Sequence, residues 1–213
     1  MQKGDDFISI HDLSVAEVEE VLALTKELKY KQKHGIPHQL LAGKTLGMIF
    51  EKSSTRTRVS FETGIYQLGG QGLFLSNRDL QIGRGEPIKD TARVLSRYVD
   101  GIMIRTFAHS NVTEFAEYAD IPVINALTDL LHPCQAMTDI FTATEYKGND
   151  LKGCKMTFVG DGNNMAHSLM FACAKMGMHF VFAGPKGFEP NAGIVALAKE
   201  DAEETGGSIT ITH

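Results

Sequence analysis

The chain has 213 residues, 43% of them hydrophobic and 22% charged, with a formal net charge of -5. This length allows one large or two modest domains. The acidic balance argues against a general nucleic-acid-binding protein, although a local basic cluster can still bind a small anion. The N-terminus lacks a cationic and then apolar signal segment, no apolar run approaches the ~18 residues of a membrane span, and the cysteines form no CxxC pair. We therefore expect a cytoplasmic protein.

Apolar, β-rich runs alternate with helical patterns along the chain. The first helix begins after Ser14, which forms an S-x-x-E capping box with Glu17. Strands are predicted at 45–50, 73–75, 101–106, 122–126, 155–160, 179–184 and 208–212. Further helices are predicted near 56–68, 87–99, 111–119, 136–146, 165–176 and 192–205. This alternation predicts an α/β protein with parallel sheets flanked by helices.

A polar segment with two glycines, 147–153, separates two sets of these elements. We predict a first domain at 1–147 and a second at 148–213. The second set stops on its third strand, whereas a doubly wound domain usually has more. The second domain is therefore expected to be incomplete.

Residues 51–64, EKSSTRTRVSFETG, directly follow the strand at 45–50. A helix N-terminus after a strand attracts anions, because its first amides lack partners and the helix dipole favours negative charge. The candidate ligands are Ser54, Thr55, Arg56 and Thr57. The simpler interpretation is a capped helix with surface arginines, and Arg58 either faces the same site or pairs with a carboxylate elsewhere. The stretch is not a P-loop, so ATP or GTP is not implied.

Two other predicted strands end in polar residues. Arg105 closes the run 101–106, and a charge after apolar residues either reaches solvent or meets an anion. His132 follows the strand at 122–126, and Pro133 biases it away from helical geometry. Its imidazole can donate to a carbonyl oxygen that gains negative charge, although a loop histidine with a local hydrogen bond is the simpler interpretation. Gln135 can accept a hydrogen bond from an amide.

The loops after the strands at 45–50, 101–106 and 122–126 are expected at one edge of a sheet, because the carboxyl ends of parallel strands share an edge. Hydrogen-bond donors from separate loops would then surround one small anion. This convergence favours an anion site over isolated surface residues.

Together these motifs resemble those of the aspartate/ornithine transcarbamoylase family. The resemblance is carried by STRTR (54–58), DLQIGRGE (79–86), Arg105 and HPCQ (132–135), and it covers essentially the whole chain. Gln81, where aspartate enzymes typically carry lysine, and the paired asparagines of GDGNNMAHS (160–168) favour the ornithine branch.

The resemblance implies transfer of a carbamoyl group from carbamoyl phosphate to the δ-amine of L-ornithine, giving L-citrulline and phosphate, in arginine metabolism. It implies three catalytic residues, Arg56, Arg105 and His132. The implied substrate-binding residues are Ser54, Thr55, Arg56, Thr57, Gln81, Arg105, His132, Pro133, Cys134, Gln135 and Asn164. It also implies a homotrimer, or a multiple of trimers, in which Gln81 reaches a neighbouring subunit's substrate. No metal, cofactor, nucleic acid or membrane is expected.

The sequence departs from the family pattern because the ornithine-binding D-x-x-x-S-M-G and HCLP segments do not occur in it. We expect the chain to bind carbamoyl phosphate but to be poor in transfer, as part of a longer protein. The alternatives are a putrescine carbamoyltransferase and a non-catalytic carbamoyl-phosphate-binding fragment. A dinucleotide site at 160–168 is disfavoured, because Met165 replaces the third glycine of the fingerprint. Asn163 and Asn164 could instead simply cap the following helix.

Overall fold

A computed structural model of the chain describes residues 5–77, 80–81 and 85–213. Helices and strands alternate within these residues, as predicted. The helices are α1 Val15–Lys33, α2 Thr55–Gln67, α3 Ile88–Leu95, α4 His109–Tyr118, α5 Pro133–Lys147, α6 Asn164–Lys175 and α7 Ala192–Thr205. The strands are β1 Thr45–Phe50, β2 Gln71–Ser76, β3 Gly101–Arg105, β4 Val123–Leu127, β5 Lys155–Val159, β6 His179–Ala183 and β7 Ser208–Thr212.

The first sheet is parallel throughout, with the strand order β2-β1-β3-β4. Parallel neighbours need crossover connections, and the helices between the strands supply them. Phe7 extends the β4 edge by pairing with Ile124, and its amide donates to the Val123 carbonyl at 2.8 Å. Since β1 and β3 are adjacent, the polar residues that follow them lie side by side.

Both faces of this sheet are buried, as expected for strands between layers of helices. Met48 and Met103 pack with Phe50 and Ala126 on one face. Ile102 and Phe115 belong to the larger cluster on the other face. Because side chains alternate between the faces of a strand, continuous apolar runs such as TLGMIF serve both clusters.

The second sheet contains β5, β6 and β7 in that order, again parallel. Phe180 and Phe182 of its central strand are fully buried. Helix α6 is buried along most of its length, from Ala166 to Lys175. The prediction of an α/β fold with parallel sheets flanked by helices is confirmed.

The chain divides into two compact units, each with one sheet. The first comprises the chain up to Ile8 together with Leu24–Thr128, and the second comprises Ser9–Ala23 and Asp129–His213. Helix α5 belongs to the second unit, in which it packs against α6. This division follows spatial contacts and differs from the predicted domain boundary at 147/148, which stays a prediction.

Some element boundaries differ from the predicted ones. Helix α5 begins at Pro133 rather than near 136, because proline fits the first position of a helix. Helix α3 ends at Leu95 instead of continuing to 99. Strand β2 begins at Gln71, two residues before the predicted start at 73. Among the described residues, no helix combines the length and apolar character needed to cross a bilayer.

Candidate anion-binding site

The N-terminus of α2 has the geometry expected of an anion site. Ser54 is its N-cap in an extended conformation, with φ at -162°, and the Ser54 hydroxyl oxygen accepts from the Thr57 amide at 3.3 Å. No acidic residue lies in the first turn. Thr55 and Arg56 are exposed there. The positive end of the helix dipole is therefore accessible and not neutralised by its own first turn.

Arg105 extends from the neighbouring strand towards this helix end. It lies beside Phe50 in the β1–β3 register, and its carbonyl accepts from the Glu51 amide at 2.9 Å. The guanidinium donates from Nε to the Lys52 carbonyl at 3.2 Å and from Nη1 to the Thr57 hydroxyl at 3.4 Å. The structure thus brings together two of the predicted loops, those after β1 and β3.

The charges at this point are unfavourable without a ligand. Burial lowers the pKa of Arg105, and the nearby charge of Arg56 lowers it further. Neither guanidinium forms an ion pair within residues 5–77, 80–81 and 85–213. Two like charges beside a positive helix end would be stabilised by a bound anion.

Arg58 does not share this arrangement. Its Nε donates to Glu62 Oε1 at 3.1 Å, one turn along α2, and its guanidinium lies 3.7 Å from the centre of the Phe74 ring. Of the two readings that the sequence left open, pairing with a carboxylate is the observed one. Arg56 and Arg58 thus have different surroundings despite their closeness in sequence.

A polar cluster that the sequence analysis did not find follows the ends of β1 and β3. The Thr106 hydroxyl donates to Glu51 Oε2, and the Asn111 amide donates to the same carboxylate oxygen at 3.4 Å and to Thr106 at 3.1 Å. These contacts hold the first acidic residue after β1. The only sequence signal was that Glu51 and Thr106 each directly follow a buried strand.

The loop motif at 79–86 is described only in part. Gln81 is exposed, and its carbonyl accepts from the Glu86 amide at 3.1 Å. Residues 79 and 82–84 of the motif lie outside the described residues. The expected role of Gln81 at a neighbouring subunit stays a prediction.

In the second unit, His132 occupies the N-cap position of α5. Its backbone is non-helical, with φ at -139° and ψ at 69°, as Pro133 predicted. The His132 amide donates to the Ser168 hydroxyl at 2.8 Å. Helix α5 therefore begins at a fixed point on α6.

The two residues after Pro133 are placed differently from each other. Cys134 is partly exposed as a residue, but burial raises the pKa of its thiol to about 12. It is therefore protonated at neutral pH, whereas the thiolate is the nucleophilic form of cysteine. Gln135 is exposed, and its amide donates to Asp139 Oδ1 at 2.8 Å along the same helix.

Helix α6 begins at the paired asparagines. The Asn163 side chain accepts from the amides of Met165 at 2.9 Å and Ala166 at 3.2 Å, so Asn163 is the residue that caps the helix. Asn164 is the first residue of the helix and is partly exposed. A Cβ on Gly162 would overlap the backbone of Pro190, which explains why this loop needs glycine without a dinucleotide.

His167 was not identified from the sequence as a functional candidate, yet it is buried, with 5% exposure, and joins two loops. Its Nε2 accepts from the Asn191 amide at 3.0 Å, so the ring proton lies on Nδ1, which donates to the Leu130 carbonyl at 2.9 Å. Burial lowers the pKa of His167, and the bond to Leu130 opposes that shift. The ring is thus held neutral in one tautomer.

These features define a class of protein: an α/β chain with a candidate anion site at strand carboxyl ends and a second α/β unit later in the sequence. A family profile described as "Aspartate/ornithine carbamoyltransferase, carbamoyl-P binding domain" matches residues 5–145. A second, described as the "Asp/Orn binding domain" of the same enzymes, matches residues 152–213. The chain belongs to the aspartate/ornithine carbamoyltransferase family.

Individual relatives agree with this assignment. The chain is 60% identical over 211 residues to an ornithine carbamoyltransferase of Anoxybacillus flavithermus, covering 99% of this chain and 67% of the relative. It is 56% identical to the enzyme of that name from Carboxydothermus hydrogenoformans, of which it covers 68%. The solved structure of ornithine carbamoyltransferase from Pyrococcus furiosus matches with a TM-score of 0.96 and 51% identity, over 99% of this chain and 67% of that one.

The chain therefore spans about two thirds of the length of these relatives. The family prediction is confirmed. The partial coverage agrees with the prediction that the second domain is incomplete.

Proposed function

We propose that the protein transfers a carbamoyl group from carbamoyl phosphate to the δ-amine of L-ornithine, giving L-citrulline and phosphate in arginine metabolism. The observation that carries this proposal is the pair of guanidiniums, Arg56 and Arg105, at the capped N-terminus of α2 without an ion-pair partner among the described residues. The names of the relatives support the choice of ornithine as the acceptor.

The phosphate group is bound by the α2 N-terminus. Ser54, Thr55, Arg56 and Thr57 supply amides, hydroxyls and a bidentate guanidinium to its oxygens. Thr57 already accepts from Arg105, so phosphate and carbonyl recognition share a hydrogen-bonded contact. The departing phosphate is stabilised by the same donors.

The carbamoyl carbonyl is polarised by Arg105 and His132. The neutral δ-amine attacks the carbonyl carbon, and the carbonyl oxygen becomes an oxyanion that these donors stabilise. The C–O bond to phosphate then breaks, and the proton that the amine loses passes to the departing phosphate. A free amine of pKa ~10 is mostly protonated at pH 7, so binding must select or generate its neutral form. Gln135, with the adjoining Pro133 and Cys134, orients the carbamoyl amide.

The acceptor and the assembly complete the proposal. Asn164 at the start of α6 contacts ornithine, and Gln81 reaches the carbamoyl phosphate of a neighbouring subunit in a homotrimer or a multiple of trimers. We place the protein in the cytoplasm and assign 1–147 to carbamoyl phosphate and 148–213 to ornithine. The separation of the two family matches, at 5–145 and 152–213, supports this boundary.

One observation favours the alternative of a non-catalytic carbamoyl-phosphate-binding fragment. The D-x-x-x-S-M-G and HCLP segments do not occur within these 213 residues. We therefore propose that the 213 residues by themselves bind carbamoyl phosphate but transfer its carbamoyl group poorly.

Calorimetric binding of carbamoyl phosphate, with citrulline formation measured in parallel, tests both functions. Binding without citrulline supports the non-catalytic function of this chain, and absence of binding refutes both proposals. Putrescine offered in place of ornithine tests the remaining alternative, since faster carbamoylation of putrescine would make it the substrate. In a transfer-competent form, His132→Ala should lower kcat on the order of 10²–10³-fold and affect carbamoyl phosphate affinity less. Unchanged kcat would contradict the role of His132.

A further inference from the structure

Two consecutive side chains on α6 bind the loop that carries His132. His167 donates from Nδ1 to the Leu130 carbonyl at 2.9 Å, and Ser168 accepts from the His132 amide at 2.8 Å. Both α6 residues are buried, at 5% and 1% exposure. The loop is therefore attached to the helix on both sides of Leu131, by bonds shielded from water.

The same histidine holds a second loop. Its Nε2 accepts from the Asn191 amide at 3.0 Å, which fixes the segment before α7. The Gly162 amide donates to the Phe188 carbonyl at 2.7 Å, so this segment also contacts the loop before α6. His167 is thus the point at which the loops before α5 and α7 join α6.

We propose that His167 and Ser168 are positioning residues that set the place of His132 relative to Asn164. Asn164 and Ser168 lie one turn apart on the same face of α6. The His132 backbone is consequently bonded to the helical face that also presents Asn164. The inference rests on the proposed function, in which His132 polarises the carbamoyl carbonyl and Asn164 contacts ornithine, the carbamoyl acceptor.

The chemical consequence is control of the attack distance. Reacting atoms must approach to about 3–3.5 Å, and a misplacement of about 1 Å can cost on the order of 10²-fold in rate. Hydrogen bonds from a buried helix hold this spacing, whereas a loop attached only by its ends would not. His167 and Ser168 touch neither substrate and act only through His132.

The imidazole allows a matched pair of substitutions. In His167→Asn, the side-chain amide takes the place of Nδ1 and can still donate to the Leu130 carbonyl, but the acceptor for Asn191 is lost. In His167→Gln, the amide oxygen reaches the place of Nε2 and can still accept from Asn191, but the donor to Leu130 is lost. Each variant therefore removes only one of the two hydrogen bonds that His167 makes to the loops, and the two replacement side chains are similar in polarity.

Amide hydrogen exchange of the 213-residue chain tests the geometry without relying on turnover. Ser168→Ala and His167→Gln should speed exchange at the His132 amide by ~10-fold, the equivalent of one net hydrogen bond. His167→Asn should leave exchange at His132 as in the native chain and speed it at Asn191. Equal loss of protection at both amides in the two His167 variants would overturn the inference, since it would indicate packing alone.

A second experiment tests the link to substrate binding. It measures how the NMR chemical shift of the His132 ring protons changes during titration with carbamoyl phosphate. The native chain and His167→Asn should show the same shift, and Ser168→Ala and His167→Gln a reduced one. A native-size response in Ser168→Ala would overturn the positioning role. If even the native chain does not respond to carbamoyl phosphate, the proposed function fails, while the amide exchange still decides whether His167 and Ser168 hold the loop.

Discussion

Replacing Arg56 by alanine should stabilise the ligand-free chain while weakening carbamoyl phosphate binding. Arg56 is exposed, and its charge lowers the pKa of half-buried Arg105 in addition to the larger effect of burial. Two unit charges about 4 Å apart in water repel by ~1 kcal/mol, and screening at an exposed site reduces this to a few tenths. The ligand-free variant should therefore gain ~0.3 kcal/mol in free energy of unfolding.

Binding should change in the opposite direction. A hydrogen bond to a charged group contributes about 1.5–3 kcal/mol, so the dissociation constant should rise ~10- to 150-fold. Carbamoyl phosphate at ~100 times the native Kd should add ~2.7 kcal/mol to the free energy of unfolding of the native chain. A variant that binds ~100-fold more weakly should gain only ~0.4 kcal/mol at that concentration. Urea unfolding with and without fresh carbamoyl phosphate measures both effects.

Arg58→Ala is the matched control, because it removes the same charge from the same helix. Arg58 is bonded to Glu62 and stacked on Phe74, so its loss should leave carbamoyl phosphate affinity unchanged. Equal weakening by both substitutions would refute the anion site and indicate a general effect of net charge. A loss of more than ~1 kcal/mol in ligand-free Arg56→Ala would refute the repulsion argument.

Three further predictions concern the second unit, and the first of them has a control substitution in α2. Gly162→Ala should lower the free energy of unfolding by ~2 kcal/mol or more, because its Cβ overlaps backbone atoms. Gly64→Ala, whose Cβ would lie in open space, should raise the free energy of unfolding by up to ~1 kcal/mol. Equal effects of the two substitutions in urea unfolding would contradict this. Burial lowers the pKa of His167, so the unfolded chain binds more protons once the pH falls below the ordinary histidine pKa of ~6.5; the free energy of unfolding should decrease as the pH falls below that value, and less steeply in His167→Asn. Lys175→Met should cost ~1–3 kcal/mol, because it removes the buried ammonium 2.8 Å from Asp201 and leaves that carboxylate with His11 at 2.9 Å; a cost near zero would refute the stabilising role of this ion pair.

Local rules predicted most of the fold. The alternation of apolar runs and helical patterns was sufficient for the α/β class, since strand and helix periods are properties of short segments. The non-helical backbone of His132 followed from Pro133, and the start of α2 followed from the hydroxyls around Ser54. Arg105 was placed at a strand end by the pattern that precedes it.

The partners of these residues were decided by the tertiary structure. Arg58 bonds to Glu62 and stacks on Phe74, whereas Arg105 donates to the Lys52 carbonyl and to Thr57. No spacing in the sequence predicted these different partners of the two arginines. Strand order placed β3 beside β1, and only that adjacency brings Arg105 to the start of α2.

His167 shows most clearly the difference between what the sequence predicts and what the tertiary structure decides. In the sequence it is one residue of a predicted helix, but in the fold it joins carbonyl and amide groups from loops far from it along the chain. Caps and helix periods depend on neighbours within about one turn, so the sequence by itself determined them. Hydrogen bonds between distant segments depend on how sheets and helices pack, so only the tertiary structure decided which buried side chain would hold His132 in place.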